Sequence, residues 1–165
     1  MNIIFTGLRG SGKTKVGKLL AEKLGWNFVD LDNEIEKLAG KLIPEIIEEY
    51  DWEHFRKLEE EVCTKAGKLD NTVIATGGGA IINPTNEKAL KENGKIVYLK
   101  VPPKICAQRI SNSKSRPALT DTNNTLEEMI EIYEQRKERY EMSAHIIFDR
   151  TDSIKEDTEK LSAIL

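Results

Sequence analysis

GLRGSGKT, residues 7–14, follows a short apolar run, NIIFT at residues 2–6, and leads into a segment where Val16, Leu19, Leu20, Ala21 and Leu24 recur at helical spacing. A strand, a glycine-rich loop and a helix are expected in that order. The octapeptide fits the pattern G-x-x-x-x-G-K-[ST] without a mismatch. In such a loop, backbone N–H groups wrap a phosphate and the helix beginning near Lys13 turns its positive end toward it. Lys13 is then expected to reach the β- and γ-phosphates of a nucleotide, and the Thr14 hydroxyl to ligate Mg²⁺. Gly10, Ser11, Gly12 and Lys15 complete the expected nucleotide-binding loop.

Outward from this loop, apolar runs alternate with helical patterns. WNFVDLD (26–32) reads as a second strand, NEIEKLAG (33–40) as a short helix, and residues 42–69 as helical with a break near Tyr50 and Asp51. TVIA (72–75) is a third strand, PTNEKALKENG (84–94) a helix closed by Gly94, and KIVYLKV (95–101) a fourth strand. The polar tract SNSKSRPALTDTNN (111–124) has neither period. A long helix follows, with Thr125 and Glu128 as a capping box; HIIFD (145–149) and SIKEDTEKLSAI (153–164) are a last strand and helix. Continuously apolar strands alternating with helices imply an α/β fold of three layers, a five-stranded parallel sheet covered on both faces. Ligands in such sheets sit beyond the carboxyl ends of the strands, where Gly7, Asp30, Asp32 and Gly77 fall.

The chain of 165 residues suits one domain, with a formal net charge of −3 that offers no general attraction to nucleic acid or to an anionic membrane. No apolar run approaches the roughly 20 residues that span a bilayer. The N-terminus lacks signal-peptide features, and Cys63 and Cys106 form no metal pattern, so a cytoplasmic protein with reduced thiols is expected. Nothing suggests a large apolar interface, and a monomer is the default.

Three further patterns carry chemistry. Asp30 and Asp32 in FVDLD, two apart in an extended chain, would point to one side. Beside a triphosphate, one can hold hydrated Mg²⁺ and the other can accept a proton from the attacking hydroxyl; helix capping competes as an explanation. In FRKLEEE, Arg56 and Glu59 are helical neighbours, so the carboxylate can fix the guanidinium for an anionic substrate, though a surface ion pair gives the same spacing. Arg116 sits in the polar tract, where a closing loop would bring it to the phosphates, though an ordinary flexible loop has the same composition. His54 and His145 are assigned no catalytic part, and Trp26 and Trp52 read as packing. The second glycine run, Gly77 to Gly79, follows the third strand and needs a reason of its own.

Taken together, GLRGSGKT, FVDLD, FRKLEEE, GGGA, SRPAL and QRKERY, in that order over nearly the whole chain, resemble the shikimate kinases, small kinases with a phosphate-binding P-loop. The resemblance implies ATP, Mg²⁺ and transfer of the γ-phosphoryl group to the 3-hydroxyl of shikimate. It gives Asp30 to Mg²⁺ through water and Asp32 to the acceptor hydroxyls as base. Arg56 and Arg136 would take the acceptor carboxylate with Glu59 steadying Arg56. Gly77, Gly78 and Gly79 would line the acceptor site, Arg116 would act from a lid of about 110–124, and Arg109 and Arg150 would flank adenine. Substrate-binding helices would lie at about 31–60. Three departures stand out: RKERY (136–140) where the family often has RxPLY, a short lid, and Asp51-Trp52 in place of a commoner glycine before the Arg56 helix. Another acceptor, gluconate or a nucleoside monophosphate, and an ATP-binding protein without kinase activity are the alternatives.

Overall fold

In a computed structural model that describes residues 1–110 and 124–165, five strands form one parallel sheet in the order β2-β3-β1-β4-β5. The strands are β1 (Asn2–Thr6), β2 (Asn27–Asp30), β3 (Thr72–Ala75), β4 (Gly94–Lys100) and β5 (Ile146–Asp149). The described helices are α1 (Lys13–Leu24), α2 (Leu31–Ala39), α3 (Ile43–Glu49), α4 (Trp52–Gly67), α5 (Pro84–Lys91), α6 (Pro103–Ile110), α7 (Thr125–Ser143) and α8 (Ile154–Ile164). The expected lid at about 110–124 falls almost wholly outside the described residues, and Arg116 with it.

The period of two in a strand sorts neighbouring side chains to opposite faces, and the core divides accordingly. Ile3, Phe5, Val73, Val97 and Leu99 join Val16 and Leu20 of α1 and Leu161 of α8. Ile4, Ile74, Ile96 and Tyr98 join the larger cluster of the other face, with Leu31 and Ile35 of α2, Phe55 and Val62 of α4, Cys106 of α6 and Ile132 of α7. Each of these aliphatic side chains, fully withdrawn from water, contributes about 1.5–3 kcal/mol. The three-layer sandwich is therefore the arrangement that hides both faces of continuously apolar strands.

Local chemistry sets the boundaries. Gly25, left-handed at φ 66°, ends α1 and sends its N–H back to Ala21. Three expectations need correction. Gly94 does not close a helix; it is the first residue of β4, and α5 stops at Lys91. The cap of α7 is Asn124 rather than Thr125, because the Asn124 side chain accepts from the N–H groups of Leu126 and Glu127. FVDLD is not extended throughout. The strand ends at Asp30, whose carboxylate accepts from the Asp32 N–H at 3.1 Å and starts α2, so Asp32 stands on the first helical turn. The expected break falls where predicted, with Asp51 capping α4 by accepting from His54 N–H at 2.7 Å.

Candidate active site

The phosphate loop leaves the end of β1, the central strand. Gly12 takes φ 89° at the mouth of α1, a left-handed turn that turns successive N–H groups inward and that a side chain would strain. Lys13 is buried, and its Nζ donates to the carbonyl oxygens of Gly7 and Leu8, both at 2.9 Å. One turn on, the Thr14 hydroxyl donates to Asp30 Oδ2 at 2.7 Å, joining α1 to the end of β2. A cavity of about 570 Å³ opens over the loop, lined by Gly10, Gly12, Lys13, Thr14, Lys15, Asp30, Asp32, Arg109 and Arg150 among others. Ser11 is buried beneath it. Asp30 and Asp32 therefore share this cavity through helix capping, the competing explanation for their spacing: Asp30 caps the helix that carries Asp32.

Two arginines fasten the cavity's far side. Arg109 Nη1 donates to Gly10 O at 3.0 Å, and Arg150 Nη1 donates to Ser11 O at 2.8 Å. Arg150 is itself held by Asp157, Nε to Oδ2 at 3.0 Å, both side chains almost fully buried. The same carboxylate accepts from the Thr151 N–H and hydroxyl at 3.0 and 2.9 Å. Asp152 and Ile154, between these partners, also line the cavity and have no sequence signal.

Next to this cavity, beyond the end of β3, a smaller cleft is lined by Arg9, Ile43, Trp52, Phe55, Arg56, Glu59, Gly77, Gly78, Gly79 and Arg136. Arg56 Nη1 donates to Glu59 Oε1 at 2.8 Å, and Glu59 is almost wholly buried, so the pair belongs to the cleft and is no surface ion pair. Burial pushes the Glu59 carboxyl above its ordinary range, against the pull of Arg56. The Arg56 guanidinium also lies over Trp52 and Phe55, 5.5 and 5.2 Å from their ring centroids. Trp52 packs on the core as expected and borders the cleft as well, which its sequence position did not signal. The glycines leave room: a methyl group on Gly77 would lie 3.0 Å from Asp32 Oδ1, and one on Gly79 would lie 2.7 Å from Arg56 Nη2. Asp32 thus reaches the boundary of the two cavities. In RKERY, Arg136 and Tyr140 lie on α7, and the buried Tyr140 hydroxyl donates to Gly78 O at 2.5 Å, tethering the glycine loop.

A phosphate loop after a central parallel strand, with a second, arginine-lined cleft abutting the nucleotide cavity, defines a P-loop kinase. The family model "Shikimate kinase" matches residues 9–165. The chain is 41% identical over 162 residues to a shikimate kinase of Caldanaerobacter subterraneus subsp. tengcongensis, covering 97% of this chain and 93% of the relative. It is 45% identical over 148 residues to one from Nitrosomonas europaea, covering 90% and 70%. Among solved structures, shikimate kinase from Acinetobacter baumannii in complex with shikimate superposes with a TM-score of 0.94 at 35% identity, covering 99% of this chain and 91% of that one. The chain belongs to the shikimate kinase family. Among the described residues no helix is long and apolar enough to cross a membrane.

Proposed function

We propose that this chain, as one kinase domain over residues 1–165, transfers the γ-phosphoryl group of ATP to the 3-hydroxyl of shikimate, feeding aromatic amino acid biosynthesis. The observation that carries the reading is the shared boundary: Arg9 and Gly78 line both the nucleotide cavity and the arginine-lined cleft, with Asp32 between them. Family membership supplies the nucleotide and the acceptor. The buried, unpaired thiols Cys63 and Cys106 support work in a reducing cytoplasm, and a monomer is the accompanying reading.

On this reading Gly10, Ser11, Gly12 and Lys15 bind the triphosphate, and Lys13 exchanges its carbonyl partners for β- and γ-phosphate oxygens. Thr14 and Asp30 offer two hard oxygen donors side by side, a donor set that suits Mg²⁺. When bound there, with Asp30 reached through water, the ion would neutralise charge on the phosphates. Asp32 accepts the proton of the attacking hydroxyl. Arg56, steadied by Glu59, and Arg136 hold the carboxylate, while Gly77 to Gly79 leave space for the ring. Arg109 and Arg150 bound the base end of the nucleotide cavity. Arg116, outside the described residues, keeps the part its motif implies, on the phosphates. Positioning and charge stabilisation do most of the catalysis.

The test is a coupled assay for ADP release from Mg-ATP with a panel of acceptors. Turnover with shikimate well above that with gluconate or nucleoside monophosphates is expected; folded protein that leaves shikimate unphosphorylated overturns the reading.

A further inference from the structure

Arg9, the third residue of the phosphate loop, has no part in the loop's motif. Yet its side chain lines both cavities. Its Nη1 is buried and meets no hydrogen-bond partner among the described residues. Arginine stays charged in proteins, and a buried donor of this kind is costly to leave without an acceptor. The groups that face it are Arg136 and Glu128, both on α7: burial first, then Arg136, depress its pKa, while Glu128 works against them. Arg9, Arg56 and Arg136 thus bring three guanidinium groups to one cleft, where Glu59 is engaged by Arg56. Two like charges brought together in a partly desolvated cleft are favoured when an anion lies between them. Arg9 also abuts the glycine loop, since a methyl group on Gly78 would sit 3.4 Å from the Arg9 backbone nitrogen and 3.6 Å from Arg136 Nη1.

We propose that Arg9 is a third acceptor-binding arginine, donating from its buried Nη1 to the carboxylate of the acceptor beside Arg136. The inference rests on the function proposed above. It makes the loop that cradles the nucleotide also sense whether the acceptor is in place. The sequence pattern G-x-x-x-x-G-K-[ST] leaves this position open, so recognition of the carboxylate gains a contact that the motif does not demand.

The test uses the full chain, Arg9→Met, which keeps most of the stem and removes the donors, and Arg9→Lys, which restores charge without the fork. Calorimetry without nucleotide gives dissociation constants for shikimate and for its neutral carboxamide; a separate titration gives that for ADP. Arg9→Met is expected to weaken shikimate about tenfold or more, the loss of a charge-assisted hydrogen bond, and to change carboxamide and ADP by less than about twofold. Arg9→Lys is expected to recover part of the shikimate affinity. Equal weakening of shikimate and carboxamide, weakening of ADP by the same factor, or unchanged shikimate binding would overturn the assignment. Arg9→Gln answers the same question if Arg9→Met melts early. A wild-type chain that neither binds nor phosphorylates shikimate would instead overturn the function itself.

Discussion

The Tyr140 hydroxyl donates to the carbonyl oxygen of Gly78 across 62 residues of sequence, so the long helix α7 holds the glycine loop by a buried hydrogen bond. Removing the hydroxyl leaves a buried carbonyl without its donor, at about 1–3 kcal/mol. Tyr140→Phe is expected to lower the melting temperature and to raise KM for shikimate several-fold with KM for ATP little changed. Steady-state kinetics with each substrate varied in turn measures this. Equal rises in both constants would show that the tether serves the whole fold.

Asp32→Asn keeps the shape of the side chain and removes the base. A loss of kcat of about a hundredfold or more is expected from general-base catalysis, with ADP affinity retained. A rapid-quench measurement of the chemical step, alongside an ADP titration, separates the two. Turnover close to wild type would take Asp32 out of the proton transfer.

The three glycines are unequal. A methyl group on Gly79 meets both terminal nitrogens of Arg56, at 2.7 and 2.8 Å, whereas one on Gly78 meets nothing closer than 3.4 Å. Gly79→Ala should therefore weaken shikimate binding strongly, and Gly78→Ala should be milder, with ATP binding kept in both. The larger Gly78→Val and Gly79→Val should each abolish shikimate binding before ATP binding suffers. Calorimetric titrations of the four variants give the ranking.

Arg136→Ala is expected to raise KM for shikimate by about tenfold or more, as loss of a charge-assisted contact to the carboxylate, and KM for ATP far less. Comparable effects on both substrates would count against the carboxylate role.

Burial raises the Glu59 carboxyl above its ordinary value of 4.5. Between that value and the raised one, the folded chain binds more proton than the unfolded chain, so this group's contribution to stability declines as pH rises through the window. Glu59→Gln removes the titration. Its stability relative to wild type should be flat below about pH 4.5 and become more favourable above it, even as acceptor binding weakens through the loss of Arg56's anchor. Urea unfolding across the pH range tests the sign.

The sheet and the phosphate loop were legible because each rests on local chemistry: continuous apolar runs, a glycine at a helix mouth, a break at Asp51. The family resemblance grouped Asp32, Arg56, Glu59, Gly77 to Gly79 and Arg136; the structure brings all but Asp32 to one cleft, and Asp32 lines the adjoining cavity. What escaped were relations between distant segments. In FVDLD the sequence admits helix capping beside a ligand role, since aspartate does both with the same atoms, but it does not say which aspartate caps the helix bearing the other. Arg150 and Asp157 are ordinary surface residue types, and only the packing of α8 buries them together against the phosphate loop. Trp52 reads as core because its apolar spacing is that of core; its second face becomes visible only when Arg56 lies against it. Arg9 occupies a position the loop motif leaves unspecified, and its donor acquires meaning only from α7.

The two thiols are buried without a partner cysteine, and their surroundings keep them protonated: burial raises both Cys63 and Cys106. Cys63 lies on the helix that bears Arg56 and Glu59, and Cys106 on the one that bears Arg109. Each is therefore a silent probe placed under one half of the site. An alkylating reagent can reach either only when its helix lifts away, so the two labelling rates, read separately by mass spectrometry, would time the breathing of the acceptor half and of the nucleotide half in a chain that carries no added label.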